Sequence, residues 1–232
     1  MSSPFSVQKW MSLFKNWRFL GEGLVVTFEV ALLALSLALF LGIIFGVLST
    51  SKYKVFKIIS RIYVEFFQNT PLVIQIFFLY NGLPYVDIVL PVFAIGVLGV
   101  GVYHGAYISE VVRTGIQAVP KGQIESAQSQ GFDYLQTMRY VILPQAVRII
   151  LPPLTNQAVN LIKNTSVLAM IAGGDLMYQA DSWASTTLNY GPTYIITGAL
   201  YFLLCFPLTK LIRKMELRDK RIVKINKNQE VA

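Results

Sequence analysis

Four long intervals without a single Lys, Arg, Asp or Glu decide what this chain can fold into. They run from Ala31 to Ser51, Phe66 to Val86, Ile88 to Ser109 and Ser182 to Thr209. A helix that crosses a ~30 Å hydrocarbon layer needs about 20 mostly apolar residues, so each interval is long enough. A fifth stretch, Ile149 to Gly173, is interrupted only by Lys163. The pattern predicts an all-α membrane protein with spans at about 24–48, 62–82, 92–112, 150–173 and 192–212. A signal peptide is the rival reading of the first span, because Lys9, Lys15 and Arg18 precede it. Its apolar run is longer than the 7–15 residues of a signal core, and no small-residue cleavage pattern follows.

Composition agrees with lipid as the solvent. The 232 residues are 54% hydrophobic and 14% charged, where soluble domains carry about 25% charged residues. The net charge of +8 raises nucleic-acid binding, but its distribution explains it better. With five spans, one side holds Lys9, Lys15 and Arg18 alone. The other holds Lys52, Lys54, Lys57, Arg61, Arg113, Lys121, Arg139, Arg148 and the eight basic residues from Lys210 to Lys227. Three against sixteen places the N-terminus outside and the C-terminus in the cytoplasm. The expected organisation is an extracytoplasmic segment at 1–22, a membrane domain at 23–213 and a basic cytoplasmic tail at 214–232. Pairs Gly42/Gly46 and Gly101/Gly105 have the spacing that lets helix backbones approach closely.

The largest piece outside the spans is Arg113 to Arg148. Pro120 just ahead of Gln123–Gln130 and Gly131 after it punctuate a short helix. Asp133 and Gln136 have capping-box spacing, which starts a second helix reaching about Val141, and Pro144 is expected to break it. The result is a helical hairpin that projects from the membrane, a shape suited to a groove on a cytoplasmic partner.

Span four carries a polar face. Lys163 lies 11 residues beyond Pro152, about 16 Å of helix rise and roughly the bilayer midplane. Asn156, Asn160, Lys163 and Asn164 share that face. A lysine facing lipid there costs about 2.5–3.5 kcal/mol, so it should point into the bundle or a wet cavity. Glu65, Gln68, Asn69 and Gln75 form a matching stripe in span two, and Glu110 and Arg113 lie near the end of span three. Two readings of Lys163 stand: a structural tie between helices, or a pathway residue meeting a carboxylate.

Catalysis has little to work with. No GxxxxGK[ST] is present to hold phosphates. Cys205 and His104 are single residues of their kinds, which leaves neither a nucleophile–base set nor a His/Cys metal site. His104, within an apolar span, reads as a packing residue or a helix-to-helix hydrogen bond.

At this point the chain resembles a known family. Glu125-Ser126-Ala127, Gly131 and Ile142-Leu143-Pro144 resemble the EAA loop of membrane subunits of type I ATP-binding cassette (ABC) importers, with Ser126 where the family favours alanine. Thr70-Pro71-Leu72-Val73-Ile74-Gln75, Ala106 to Arg113, Pro120 to Gln123, Ile142 to Ala146 and Leu161 to Ser166 resemble permeases for polar amino acids, across roughly residues 20–213. The resemblance implies the MetI-like five-helix fold in a bacterial cytoplasmic membrane. It also implies that a coupling helix carrying Gly122, Glu125, Ser126, Ala127, Gly131, Phe132 and Pro144 engages a separate ATPase. ATP and Mg would then reside on two ATPase subunits, and this chain would carry no cofactor and catalyse nothing.

Implied partners are a second permease, identical or paralogous, an extracytoplasmic solute-binding protein and a polar amino acid. The candidate pathway residues are Gln68, Asn69, Gln75, Glu110, Asn156, Asn160, Lys163 and Asn164. Asn164 stands where the family usually has aspartate after the lysine, and Gln68-Asn69 where it often has Arg-Gly. Substrate identity is therefore left open. An ion-gradient-driven secondary amino-acid transporter is the alternative, but such folds use internal repeats and broken helices, and no repeat is evident. An intramembrane enzyme lacks its catalytic set, and a membrane scaffold has no need of a midplane lysine.

Overall fold

A computed structural model describes residues 3–229, with side-chain surroundings through Leu211 and at Lys214. The basic side chains assigned to the cytoplasmic tail beyond Lys214 lie outside the described residues, as do those of Arg213 and of residues 230–232. Among the described residues the chain is helical throughout.

Helix α1 (Val7–Lys15) leads into α2 (Arg18–Thr50), which contains the first charge-free interval. α3 (Lys54–Gln68) and α4 (Leu72–Phe77) follow, and α4 continues through a π turn at Phe78–Gly82 and a 3-10 turn at Leu83–Val86. The third interval folds as α5 (Val92–Gln117). The hairpin consists of α6 (Lys121–Ser129) and the one-turn α7 (Tyr134–Gln136). A π turn at Thr137–Ile142 leads into α8 (Leu143–Asn164), then a 3-10 turn at Thr165–Ile171, α9 (Leu176–Thr187) and α10 (Tyr190–Gln229).

α2 and α5 form a parallel pair that organises the core. Val30 lies beside Gly96, Leu37 beside Gly101, Ile108 beside Gly42 and Val112 beside Gly46. The two small-residue pairs predicted for close packing therefore face each other's helix. A Cβ at Gly46 would stand 2.6 Å from Val112 Cβ and 2.8 Å from the Ser109 carbonyl, so the helices touch closely there. Dispersion between close-packed surfaces, rather than exclusion of water, holds helices together in lipid. α8 and the 3-10 turn that continues it run antiparallel to α5, with Ile150 of α8 at Gly115 and Leu168 of the turn at Gly96.

Among the described residues, three helices are long and apolar enough to cross a membrane alone: Arg18–Thr50, Val92–Gln117 and the Tyr190–Leu211 part of α10. The second predicted span is a bent pair, with α3 and the α4 segment meeting at 97°. Pro71 lacks an N–H and disfavours helical geometry at Thr70, which ends α3 there. The fourth, 150–173, is the second half of α8 followed by the 3-10 turn, so it is not one straight apolar helix. The count of straight crossings thus falls short of five. Pro144 also departs from expectation: it sits in the first turn of α8, where its missing N–H costs nothing, and the chain stays helical through it. Pro152 and Pro153 lie inside α8 as well.

At the α1 end of the bundle, Leu176 packs against Gly23. Asp175 caps α9, its Oδ2 accepting from the Met177 N–H at 3.0 Å. The Thr27 hydroxyl accepts from the Leu176 N–H at 2.9 Å. Asp175 is fully buried and its Oδ1 has no partner. Burial pushes its carboxyl up to about 6, with the amides around it opposing.

Candidate functional site

The polar interior begins with α5 and α8. Tyr103, His104 and Tyr107 from α5, with Gln157, Asn160, Lys163 and Asn164 from α8, line an open chamber of about 400 Å³. Both nitrogens of the His104 ring are engaged. Asn164 Nδ2 stands 3.0 Å from Nε2, and Gln157 Oε1 stands 3.3 Å from Nδ1. With the Asn164 amide as donor, Nε2 is the bare acceptor and Nδ1–H donates to Gln157, so the ring is neutral. This is the helix-to-helix tie anticipated for His104. Tyr103 and Tyr107 share a hydroxyl contact at 3.1 Å. Lys163 is exposed on this wall and has no ion-pair partner among the described residues.

Asn160, Lys163 and Asn164 therefore come together, while Asn156 is an exposed residue one turn before Asn160. Gln157, Tyr103 and Tyr107 were not singled out from sequence. The spacing of Tyr103 and Tyr107, four apart and flanking His104, was the available signal.

The span-two stripe does not face Lys163. The 97° bend places Gln75 beyond the end of α3, so the four residues cannot share one helix face. Their polar atoms instead serve the break. Gln75 Nε2 donates to the carbonyls of Phe67 and Thr70 at 3.1 Å each. Asn69 Nδ2 donates to the Glu65 carbonyl at 2.7 Å, and Gln68 Nε2 to the Ala106 carbonyl at 3.2 Å. The Gln75 amide thus serves carbonyls at the break between α3 and α4, the Asn69 amide reinforces the end of α3, and the Gln68 amide ties α3 to α5. Glu65 pairs with Arg61 at 2.6 Å.

Gln68 also borders a second polar cavity of about 470 Å³, with Lys57, Arg61, Glu65, Ser109, Glu110 and Arg113 on its wall. Arg113 grips Glu110 with Nε at 2.8 Å and with Nη2. Its Nη1 donates to Gln117 Oε1 at 2.6 Å. Tyr103, Tyr107 and Glu110 follow one another along α5, so the two cavities succeed each other toward the α6 end.

At that end the hairpin has the expected punctuation. Pro120 precedes α6, and the Gly131 and Phe132 N–H groups donate back to the Gln128 and Ala127 carbonyls at 2.9 and 3.1 Å. That is a Schellman ending, which requires the left-handed φ of +86° that Gly131 adopts. Asp133 and Gln136 form the reciprocal capping box, with bonds of 2.9 and 2.7 Å. Ala127 is buried, whereas Gly122, Glu125, Ser126 and Phe132 are exposed. Phe132 meets the Tyr140 ring edge-on at 6.4 Å.

A polar chamber opening on the side of a helical bundle, with a firmly capped helix outside the apolar spans, is an arrangement suited to a membrane transport subunit. Comparisons agree. The family of binding-protein-dependent transport system inner membrane components matches residues 38–218, and the chain belongs to it. The probable glutamine ABC transporter permease protein GlnM of Bacillus subtilis is 40% identical over 206 residues, covering 89% of this chain and 95% of its own. The putative glutamine transport system permease protein GlnP of Rickettsia bellii is 33% identical, covering 85% and 91%. A crystal structure of an amino acid ABC transporter with histidines matches with a TM-score of 0.85 at 35% identity, over 90% of this chain and 98% of that one. An inward-facing MetNI methionine ABC transporter shares the fold, with a TM-score of 0.64 at 18% identity over 93% and 99%.

Proposed function

We propose that this chain is half of the translocation pathway of an ATP-driven importer for a polar amino acid. The observation that carries it is the Lys163 chamber. Amide and hydroxyl groups line it, its one charged residue is a cation and no carboxylate is present. Such a wall favours a solute carrying a carboxylate, which Lys163 would meet, and gives no counter-charge to a cationic side chain. The chamber opens on the side of a single chain, so a second permease, identical or paralogous, would close it.

In this reading the α6 end is cytoplasmic and the α1 end external. Glu125, Ser126 and Phe132 enter a cleft of the ATPase, with Gly131 fixing the angle of entry. Two ATPase chains bind the nucleotide and Mg, and an external solute-binding protein delivers the amino acid. The glutamine transporters among the relatives support an amide or acidic amino acid.

The test is reconstitution in vesicles with the ATPase encoded alongside. ATP turnover should rise when loaded binding protein is added inside the vesicle lumen, on the α1 side. Copurification without any ATPase, or turnover indifferent to loaded binder, would sink the reading.

A further inference from the structure

The N-terminal segment, expected only to lie outside the membrane, is an amphipathic helix whose apolar stripe the rest of the chain leaves uncovered. Val7, Met11 and Phe14 recur at helical spacing along α1, Trp17 continues the stripe in the turn before α2, and the four are 72%, 66%, 58% and 65% exposed. Only Leu13, 1% exposed, is buried, and it joins Leu20, Leu176 and Ala180. The helix is nevertheless fixed in place. Lys9 Nζ donates to the Leu188 carbonyl at 2.9 Å, and Asn189 Nδ2 donates to the Lys9 carbonyl at 2.8 Å. Both bonds tie α1 to the turn where α10 begins, the level at which that apolar helix would leave the hydrocarbon.

A second observation points to the same occupant. Between α1, the start of α2 and α10 lies a groove of about 220 Å³ walled only by carbon-rich residues, with Phe14, Trp17, Leu24, Ile196 and Leu200 among them. It opens beside the exposed faces of α2 and α10, where Val25, Phe28 and Ile195 point outward. The stripe, groove and span surfaces are thus one continuous apolar face. Lys15 and Arg18 flank Trp17 at its rim, and Arg18 pairs with Glu22 at 3.0 Å.

We propose that α1 lies in the headgroup–acyl boundary of the leaflet opposite α6 and that its groove seats an acyl chain of an anionic phospholipid. Tryptophan favours that depth, and basic residues at the rim complement the phosphate. The helix then anchors the α9–α10 turn to the lipid surface. This stands whether or not the substrate reading above is right.

The chain has three tryptophans, which makes the test direct. Trp10→Phe with Trp183→Phe leaves Trp17 as the one tryptophan of this chain, to be examined in a complex assembled with tryptophan-free ATPase and scaffold protein in nanodiscs of phosphatidylglycerol and phosphatidylcholine. Lipid brominated high on the acyl chain should quench Trp17 about twofold, while aqueous iodide barely touches it. Lipid brominated near the chain end should quench less. Leu24→Trp, on the same double-Phe background with Trp17→Phe, reports the groove and should be quenched as well. Iodide quenching of Trp17 would overturn the proposal by placing the stripe in water. Protection from both quenchers would overturn it in favour of a protein partner, and an unquenched Leu24→Trp would remove the acyl seat.

Discussion

Lys163 and Asp175 are ionisable residues with opposite relations to their surroundings. Lys163 stands on an open polar wall. Replacing it with Met removes the cation and keeps the bulk of the side chain, so copurification with the ATPase should persist while uptake by reconstituted vesicles is lost. Unchanged uptake would return Lys163 to a purely structural role. Asp175 is closed in, and its carboxyl holds a proton up to about pH 6 in the fold against 3.8 for a free side chain. The folded state therefore binds the proton more tightly than the unfolded chain. Its contribution to stability falls as pH rises from 3.8 to about 6 and stays low above that. Asp175→Asn keeps a good N-cap and removes the buried charge, so it should raise the apparent Tm near neutral pH by an amount worth up to about 3 kcal/mol. The gain should vanish in acid, below the carboxyl's free value. Thermal scans of the two proteins across pH give the answer, and a constant offset at every pH would refute the linkage.

At the scale of elements, the α2–α5 seam is the least forgiving contact. Gly46→Ala would press a methyl into Val112 and the Ser109 carbonyl, at a cost of about 1–3 kcal/mol. The expected outcome is a lower melting temperature with normal membrane insertion; Gly198→Ala, where a Cβ meets nothing within 4 Å, is the control and should behave as wild type.

These helices were legible from sequence because lipid imposes one long uncharged run per straight crossing, and α2, α5 and the first half of α10 obey it. α3 with α4 hid its bend, since a charge-free interval records which residues avoid water and not where the axis turns. Thr70-Pro71 held that information and was read as a motif alone. α8 reversed the problem: Pro144, Pro152 and Pro153 look like breaks, yet neighbouring helices tolerate them. The apolar face of α1 was present in the spacing of Val7, Trp10, Met11, Phe14 and Trp17, but three cations nearby drew attention to charge. Asn160, Lys163 and Asn164 were recoverable because polarity in an apolar stretch stands out. Gln157 lies in the same stretch but was not singled out beside the asparagines and the lysine, and the spacing of Tyr103 and Tyr107 carried little weight because tyrosine is ordinary in membrane helices.

For the whole molecule, α1 and α6 occupy opposite ends of the bundle, and the topology proposed above has the α6 end in the cytoplasm. In a Cys205→Ser background, Ser129→Cys on α6 should react with a membrane-impermeant maleimide only after cells are opened. Ser185→Cys on α9 should react on intact cells. The reverse pattern would invert the topology and, with it, the placement of the ATPase.

α5 runs unbroken from Val92 to Gln117, and α6 begins at Lys121, a few residues further on. His104 stands 13 residues before Gln117, about 20 Å along a straight rod. Clamped to α2 through glycine contacts, that rod has little room to flex. If the proposed ATPase contact tilts that rod through the short Ala118–Pro120 link, the His104 ring would sweep against Asn164 and Gln157 at the chamber wall, while the jointed arms of α3 and α4 give way around it.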